Sequence, residues 1–350
     1  MGSIWFCLIA IMLAAYVVLD GFDLGVGVLH LWIARSDAER RLVLRSIGPV
    51  WDGNEVWLIA AGGTLYFAFP LLYAASFSGF YLPLMIILWL LIIRGASVEF
   101  RSHVGGPIWS VFWDAGFALA STLLAIFYGA ALGNVVRGVP LDAHGRFFEP
   151  LWTNFLPFGR TGILDWYTVL VGLVVLTALT VHGATWLAYK TRGELSARTL
   201  RVASQLWWLV MLLTIAVTFA SFRLLPQLLV GFRVHPWGFL FPVAAVAGLL
   251  GIQWFAHAKA EGMAFGASCL YLVGMLTSVA FSLYPSVLPS STNPLLGLTV
   301  SNAKAADYGL KIGLIWWVIG MVLAGGYTAF TYRNFTGKIQ FTESQEHEGY

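Results

Sequence analysis

The sequence predicts an all-α integral membrane protein of about nine transmembrane helices, two four-helix bundles plus one extra helix, with the N-terminus outside and the C-terminus cytoplasmic. Three observations carry that expectation. Hydrophobic residues make up 59% of the 350 and charged residues 11%, with a mean hydropathy of +0.79, which excludes a soluble globular domain of this size. Apolar runs long enough to cross a bilayer recur along the whole chain, punctuated by charges, Gly and Pro. Lysine and arginine gather in alternate connections, about two to one in favour of one side.

Taken in order, the apolar segments fall at roughly 4–31, 50–72, 74–93, 110–133, 162–189, 203–225, 237–257, 263–284 and 310–332. Residues 1–333 thus read as one transmembrane domain, with a first bundle over about 4–133, a second over about 162–284, the last helix over about 310–332, and a polar cytoplasmic tail, 334–350. The first segment lacks a basic n-region and an A-x-A site, so it reads as a membrane helix and not as a cleaved signal. Phe69-Pro70-Leu71-Leu72-Tyr73 is all that divides the second segment from the third. The inner connections hold Arg35, Arg40, Arg41, Arg94, Arg101, Lys190 and Lys338, among others. Tyr284 to Thr292 contains Pro285 and Pro289, cannot continue a regular helix, and is suited to covering the outer face of the bundle.

Charge balance is nearly even, 20 Lys and Arg against 17 Asp and Glu, which gives no support to nucleic acid as a partner. Cys7 and Cys269 lie far apart in apolar surroundings, so they read as small buried hydrophobes, and no metal site is expected. The 16 tryptophans fit an interfacial aromatic belt.

Chemistry concentrates in Trp51-Asp52-Gly53-Asn54-Glu55-Val56-Trp57, where two carboxylates three residues apart share a helix face beside hydrocarbon. Intramembrane charge is costly, so such a face normally meets protein or water and marks function. The first segment brings Asp20 and Asp23 towards the same side at the same spacing, and Gly21 with Gly25 forms a G-x-x-x-G that admits a close neighbouring helix. Trp113-Asp114-Ala115-Gly116 opens the fourth segment there too, so Asp20, Asp23, Asp52, Glu55 and Asp114 are expected to converge in one acidic zone. Asp114 is the natural anchoring partner of Arg101 or Arg94.

Together with Asp20-Gly21-Phe22-Asp23-Leu24-Gly25-Val26-Gly27, Ser78-Gly79-Phe80-Tyr81, His182-Gly183-Ala184-Thr185, Thr191-Arg192-Gly193-Glu194-Leu195 and Pro289-Ser290-Ser291-Thr292, this pattern resembles subunit II of the cytochrome bd-type quinol oxidases over almost the whole chain. The resemblance implies a haem-bearing partner, subunit I, which carries haems b and d and the loop where quinol is oxidised. It further implies reduction of dioxygen to water with protons drawn from the cytoplasm, in a bacterial cytoplasmic (inner) membrane. Subunit II would complete the fold among membrane lipid and line a proton path. Some members also hold a structural quinone, and small single-helix subunits can accompany the pair.

Asp52 matches the family carboxylate at the mouth of that path, although it also stands where a carboxylate favours a helix N-terminus. Asp23 matches the motif as well, with a turn or interface role as its alternative; Glu55 occupies a position where the family accepts an amide, and Asp20 completes the set. Trp51, Gly53, Asn54 and Trp57 are expected to serve packing and motif geometry. No haem ligands are expected in this chain, because of its seven histidines only His30 and His182 sit well on membrane segments, and His182 suits an interhelical hydrogen bond. The rival reading from another class is a proton- or ion-coupled secondary transporter, against which stands the lack of paired broken helices.

Overall fold

The computed structural model describes residues 1–104, 106–156 and 159–339. In chain order its elements are α1 Gly2–Ile33, α2 Asp37–Arg45, α3 Trp51–Ala68, α4 Pro70–Gly79, α5 Tyr81–Phe100, α6 Pro107–Arg137, α7 Trp166–Lys190, α8 Gly193–Leu224, α9 Val230–Val234, α10 Leu240–His257, α11 Glu261–Leu283, β1 Ser286–Leu288, β2 Leu298–Thr299 and α12 Asp307–Asn334. Among the described residues eight helices are long and apolar enough to span a membrane, and nine spans result if α3 and α4 count as one bent pair. That odd count would put the two termini on opposite sides.

The second and third spans depart from the expected boundaries. Pro70 at the start of α4 has no amide hydrogen to give, and Phe69 before it leaves the helical region (φ −133°, ψ 67°). The axis turns by 120° there, so the expected segment 50–72 is a shorter α3 followed by a separate α4. The third span then begins at Tyr81 and runs to Phe100, not 74–93, which moves Arg94 from the expected loop into a membrane helix.

At the centre stands α1, packed against α3, α6, α7 and α11. Neighbours along the chain pair as α5 with α6, α7 with α8, and α10 with α11, and α6 and α7 join the first group of helices to the second. In lipid, helices associate through close van der Waals fit and not through water exclusion, so small residues decide where backbones meet. A Cβ at Gly25 would overlap the Leu179 carbonyl oxygen, and one at Gly21 would lie 2.9 Å from the Leu179 side chain, so this face of α1 rests directly on α7. A second apolar cluster, with Trp5, Phe69, Phe147, Leu288 and Leu310, closes the far end of the bundle beneath the antiparallel β1–β2 pair. The proline-rich connection after α11 therefore does cover that end.

Of the residues in α12 only Leu310 is buried, while Trp316, Val322 and Leu323 are exposed along its length. It lies beside α3, with Gly313 against the Phe67 ring and Tyr327 nearest to Gly53. The start of the polar tail is docked: the Ile339 amide donates to the Lys190 carbonyl (2.8 Å), and Lys338 pairs with Glu261. The rest of that tail, 340–350, lies outside the described residues. Cys7, expected inside, is exposed on the isolated chain.

Candidate functional site

Three helices build the first cluster of charge. One turn apart on α1, Asp20 and Asp23 face α3, whose first turns carry Asn54 and Glu55, while α5 supplies Arg94. The Arg94 guanidinium forks onto Asp20, Nη1 to Oδ2 at 2.8 Å and Nη2 to Oδ1 at 2.6 Å, and Nη2 reaches Glu55 Oε2 at 3.1 Å. Two parallel donors to one carboxylate is the strongest common ion-pair geometry. Asp20 and Arg94 are essentially inaccessible, at 0% and 1% exposure. Beside them Asn54 donates to Asp23 Oδ2 (2.8 Å), and the Tyr332 hydroxyl of α12 donates to Asn54 Oδ1 (2.8 Å). Asp23 Oδ1 is buried without a hydrogen-bond partner among the described residues. Two carboxylates, Asp20 and Glu55, therefore share one guanidinium while Asp23 has only the Asn54 amide, and an unpaired buried carboxylate oxygen stays costly unless a proton or water meets it.

Asp52 stands at the rim of this cluster. It is exposed in the first turn of α3, one turn before Glu55, whose side chain is 20% exposed. Val50 is the residue that precedes the helix, with no side-chain cap hydrogen bond, so the local capping alternative for Asp52 reduces to a dipole contact. Exposure thus falls stepwise from Asp52 through Glu55 to Asp20 and Asp23. Trp51 lays its ring against Gly95 of α5; Trp57 is half-buried; Gly53 has only Tyr327 nearby, at 3.9 Å, and is no close-approach glycine within this chain.

Asp114 does not join this cluster, contrary to the single acidic zone expected. It accepts from Arg101 Nε at 2.5 Å, from Arg40 Nη1 at 3.1 Å, and bonds His30 Nε2 at 2.6 Å. Arg101 also grips Asp37 of α2 (2.7 Å). Of the two arginines open to Asp114 it is Arg101 that pairs with it, while Arg94 serves Asp20. Burial acts to raise the Asp37 carboxyl, but the Arg101 hydrogen bond and charge outweigh it and hold Asp37 below the usual carboxylate range. Glu39 is lowered in the same way, with Arg198 outweighing its burial. These pairs pin the α2 connection to the basic end of the bundle, the end that carries Arg35, Arg40, Arg41 and Arg101.

His182 bonds Ser268 Oγ through Nδ1 (2.7 Å) and the Val18 carbonyl through Nε2 (2.9 Å), linking α7 to α11 and α1 as expected. Among the described residues no group of three or more His, Cys, Asp or Glu is arranged to hold a metal ion. Sequence reasoning offered Arg94 to Asp114 and missed its pairing with Asp20, and it missed Tyr332 altogether. The signal for Arg94 was the need of a buried Asp20 for a countercharge; Tyr332 had none.

The family model for cytochrome bd terminal oxidase subunit II matches residues 1–335. Cytochrome bd-I ubiquinol oxidase subunit 2 of Escherichia coli is 32% identical over 96% of this chain and 94% of that one. Cytochrome bd ubiquinol oxidase subunit 2 of Bacillus subtilis is 28% identical over 97% of each. A chain in the solved structure of bd oxidase from Geobacillus thermodenitrificans superimposes with a TM-score of 0.72 at 18% identity, covering 95% of this chain and 98% of that one, a likeness of fold alone. With the family pattern matched from the first residue into the end of the last helix, this chain belongs to the cytochrome bd terminal oxidase subunit II family.

Proposed function

We propose that this chain is the haem-free subunit of a quinol-oxidising, dioxygen-reducing complex of the inner membrane, that it scaffolds a haem-bearing subunit I, and that it draws protons from the cytoplasm through Asp52. The observation that carries the proposal is the graded series from exposed Asp52 past partly exposed Glu55 to buried Asp20 and Asp23. Titratable groups strung from an aqueous face inward are what proton conduction asks for. With the guanidinium given to Asp20 and Glu55, Asp23 is left without a cation in contact, and its unpartnered Oδ1 is the place to hold a proton in transit. Lysine and arginine gathered at this end support a cytoplasmic orientation, N-terminus outside.

The histidine chemistry favours a subunit without haem. Both ring nitrogens of His182 are engaged, so it could ligate iron only by breaking a buried hydrogen bond, and His30, with Nε2 held by Asp114, keeps only a buried Nδ1 unbonded among the described residues. The exposed apolar face of α12 lies beside α3 and Asp52, and it suits a helical partner whose haems receive the protons collected here. Small single-helix subunits would find the remaining lipid-facing surface open to them. With the family in hand, no observation favours the transporter reading.

Asp52→Asn in the assembled complex is expected to lower quinol-dependent oxygen uptake and proton uptake several-fold while haem content stays normal. Unchanged turnover and proton uptake would sink the proton-path role. Loss of the haems in a complex that no longer assembles would make Asp52 a structural residue instead.

A further inference from the structure

At the basic end, the last turn of α7, the first half of α11 and the end of α12 enclose a cavity of about 390 Å³, lined by Trp186, Tyr189, Lys190, Phe265, Tyr332 and Phe335. The proton path makes no use of it. Its walls are aromatic, and Gly266 keeps it open, since a Cβ there would meet nothing within 4 Å.

Among the described residues Lys190 is the one cation lining this cavity, and it is 2% exposed. Its ammonium donates to the backbone carbonyls of Phe335 and Gly337 and lies 3.6 Å from the Phe335 ring centre and 5.3 Å from that of Trp186. Among the described residues no carboxylate pairs with it, and Glu261 at the start of α11 is taken by Lys338 and Ser196. A buried cation faced only by dipoles and rings is poorly compensated. An ammonium has three donors, and two are used. The site therefore offers a positive charge and a free donor on the wall of an apolar slot, beside the ends of α7 and α12.

We propose that this cavity binds an anionic phospholipid, with a phosphate oxygen on the Lys190 ammonium and the start of an acyl chain between the aromatic walls. Basic pockets between membrane helices on the cytoplasmic side recognise such headgroups, and the volume suits a glycerol phosphate with the first methylenes of a chain. The lipid would add a countercharge where the described residues have none and hold Phe335 to Ile339 against the bundle, beside Tyr332 and its bond to Asn54. A neutral ligand such as a quinone would leave the ammonium uncompensated.

The test is native mass spectrometry of the complex with its partner subunit, released from nanodiscs holding equal phosphatidylglycerol and phosphatidylethanolamine. The wild type is expected to retain phosphatidylglycerol preferentially. Lys190→Met should cut that retention about fivefold, the weight of one basic residue near an anionic surface. Lys190→Arg should keep it, and Gly266→Leu should lose it with the charge intact. Equal retention of both lipids by the wild type, a quinone in place of lipid, or undiminished phosphatidylglycerol in Gly266→Leu would each overturn the proposal. Should Lys190→Met fail to assemble, Gly266→Leu decides by the same ratio.

Discussion

Arg94→Met is expected to prevent accumulation of the assembled complex. The guanidinium lies at 1% exposure and holds Asp20, at 0%, through two hydrogen bonds, with Glu55 as a third contact. Removing one partner of a buried pair leaves the other charge uncompensated, at about 3–5 kcal/mol. That is a large part of the roughly 5–15 kcal/mol by which folded proteins are stable. Arg94→Lys keeps the charge and loses the fork, so it should fall between wild type and Arg94→Met. Adding Asp20→Asn to Arg94→Met should recover part of the yield, because the stranded charge is gone. Abundance of the complex and its thermal unfolding in detergent measure all of these. Normal abundance of Arg94→Met would show that Asp20 finds its countercharge elsewhere.

Gly25→Val is expected to damage the fold by a different route. Here no charge changes, but the added Cβ runs into the Leu179 carbonyl oxygen, and a backbone atom cannot swing aside as a side chain can. Either α1 and α7 separate, opening the cluster that includes Phe22, Val26 and Trp186, or the helices shift in register. Overpacking a tight core costs about 1–3 kcal/mol, and a backbone clash lies at the upper end or beyond. The control is Gly266→Ala, which meets nothing within 4 Å and removes a helix-weakening glycine. Thermal unfolding midpoints should drop for the first and hold or rise for the second; equal midpoints would mean that α1 and α7 do not pack as described.

How far the sequence could be read depended on how local each signal was. The carboxylate pairs at Asp20 and Asp23 and at Asp52 and Glu55, and the Gly21 to Gly25 spacing, repeat with the helical period, so their faces were legible. Arg101 stands only 13 residues from Asp114 across one short connection, and their pairing was among the expectations. Arg94 lies 74 residues from Asp20, and at the end of an apolar run it reads as a loop charge. Only the assembled bundle, which sets α5 within reach of α1, reveals that it is inside. The split of one acidic zone into two clusters has the same origin, because each carboxylate is claimed by whichever arginine the fold brings nearest. The separate α4 was hidden for a simpler reason: a proline marks where a helix breaks but not the direction in which the next helix sets out.

The near-isolation of α12 bears on how the molecule is put together. A chain emerging from the ribosome finishes both groups of packed helices before α12 is made, and just one residue of that helix, Leu310, is committed to the interior. What fastens its far end is Tyr332 on Asn54 and the grip of Lys190 on Phe335 and Gly337. It is a bolt and not a pillar: the last helix to be made, held near its two ends by a few contacts and open along its length.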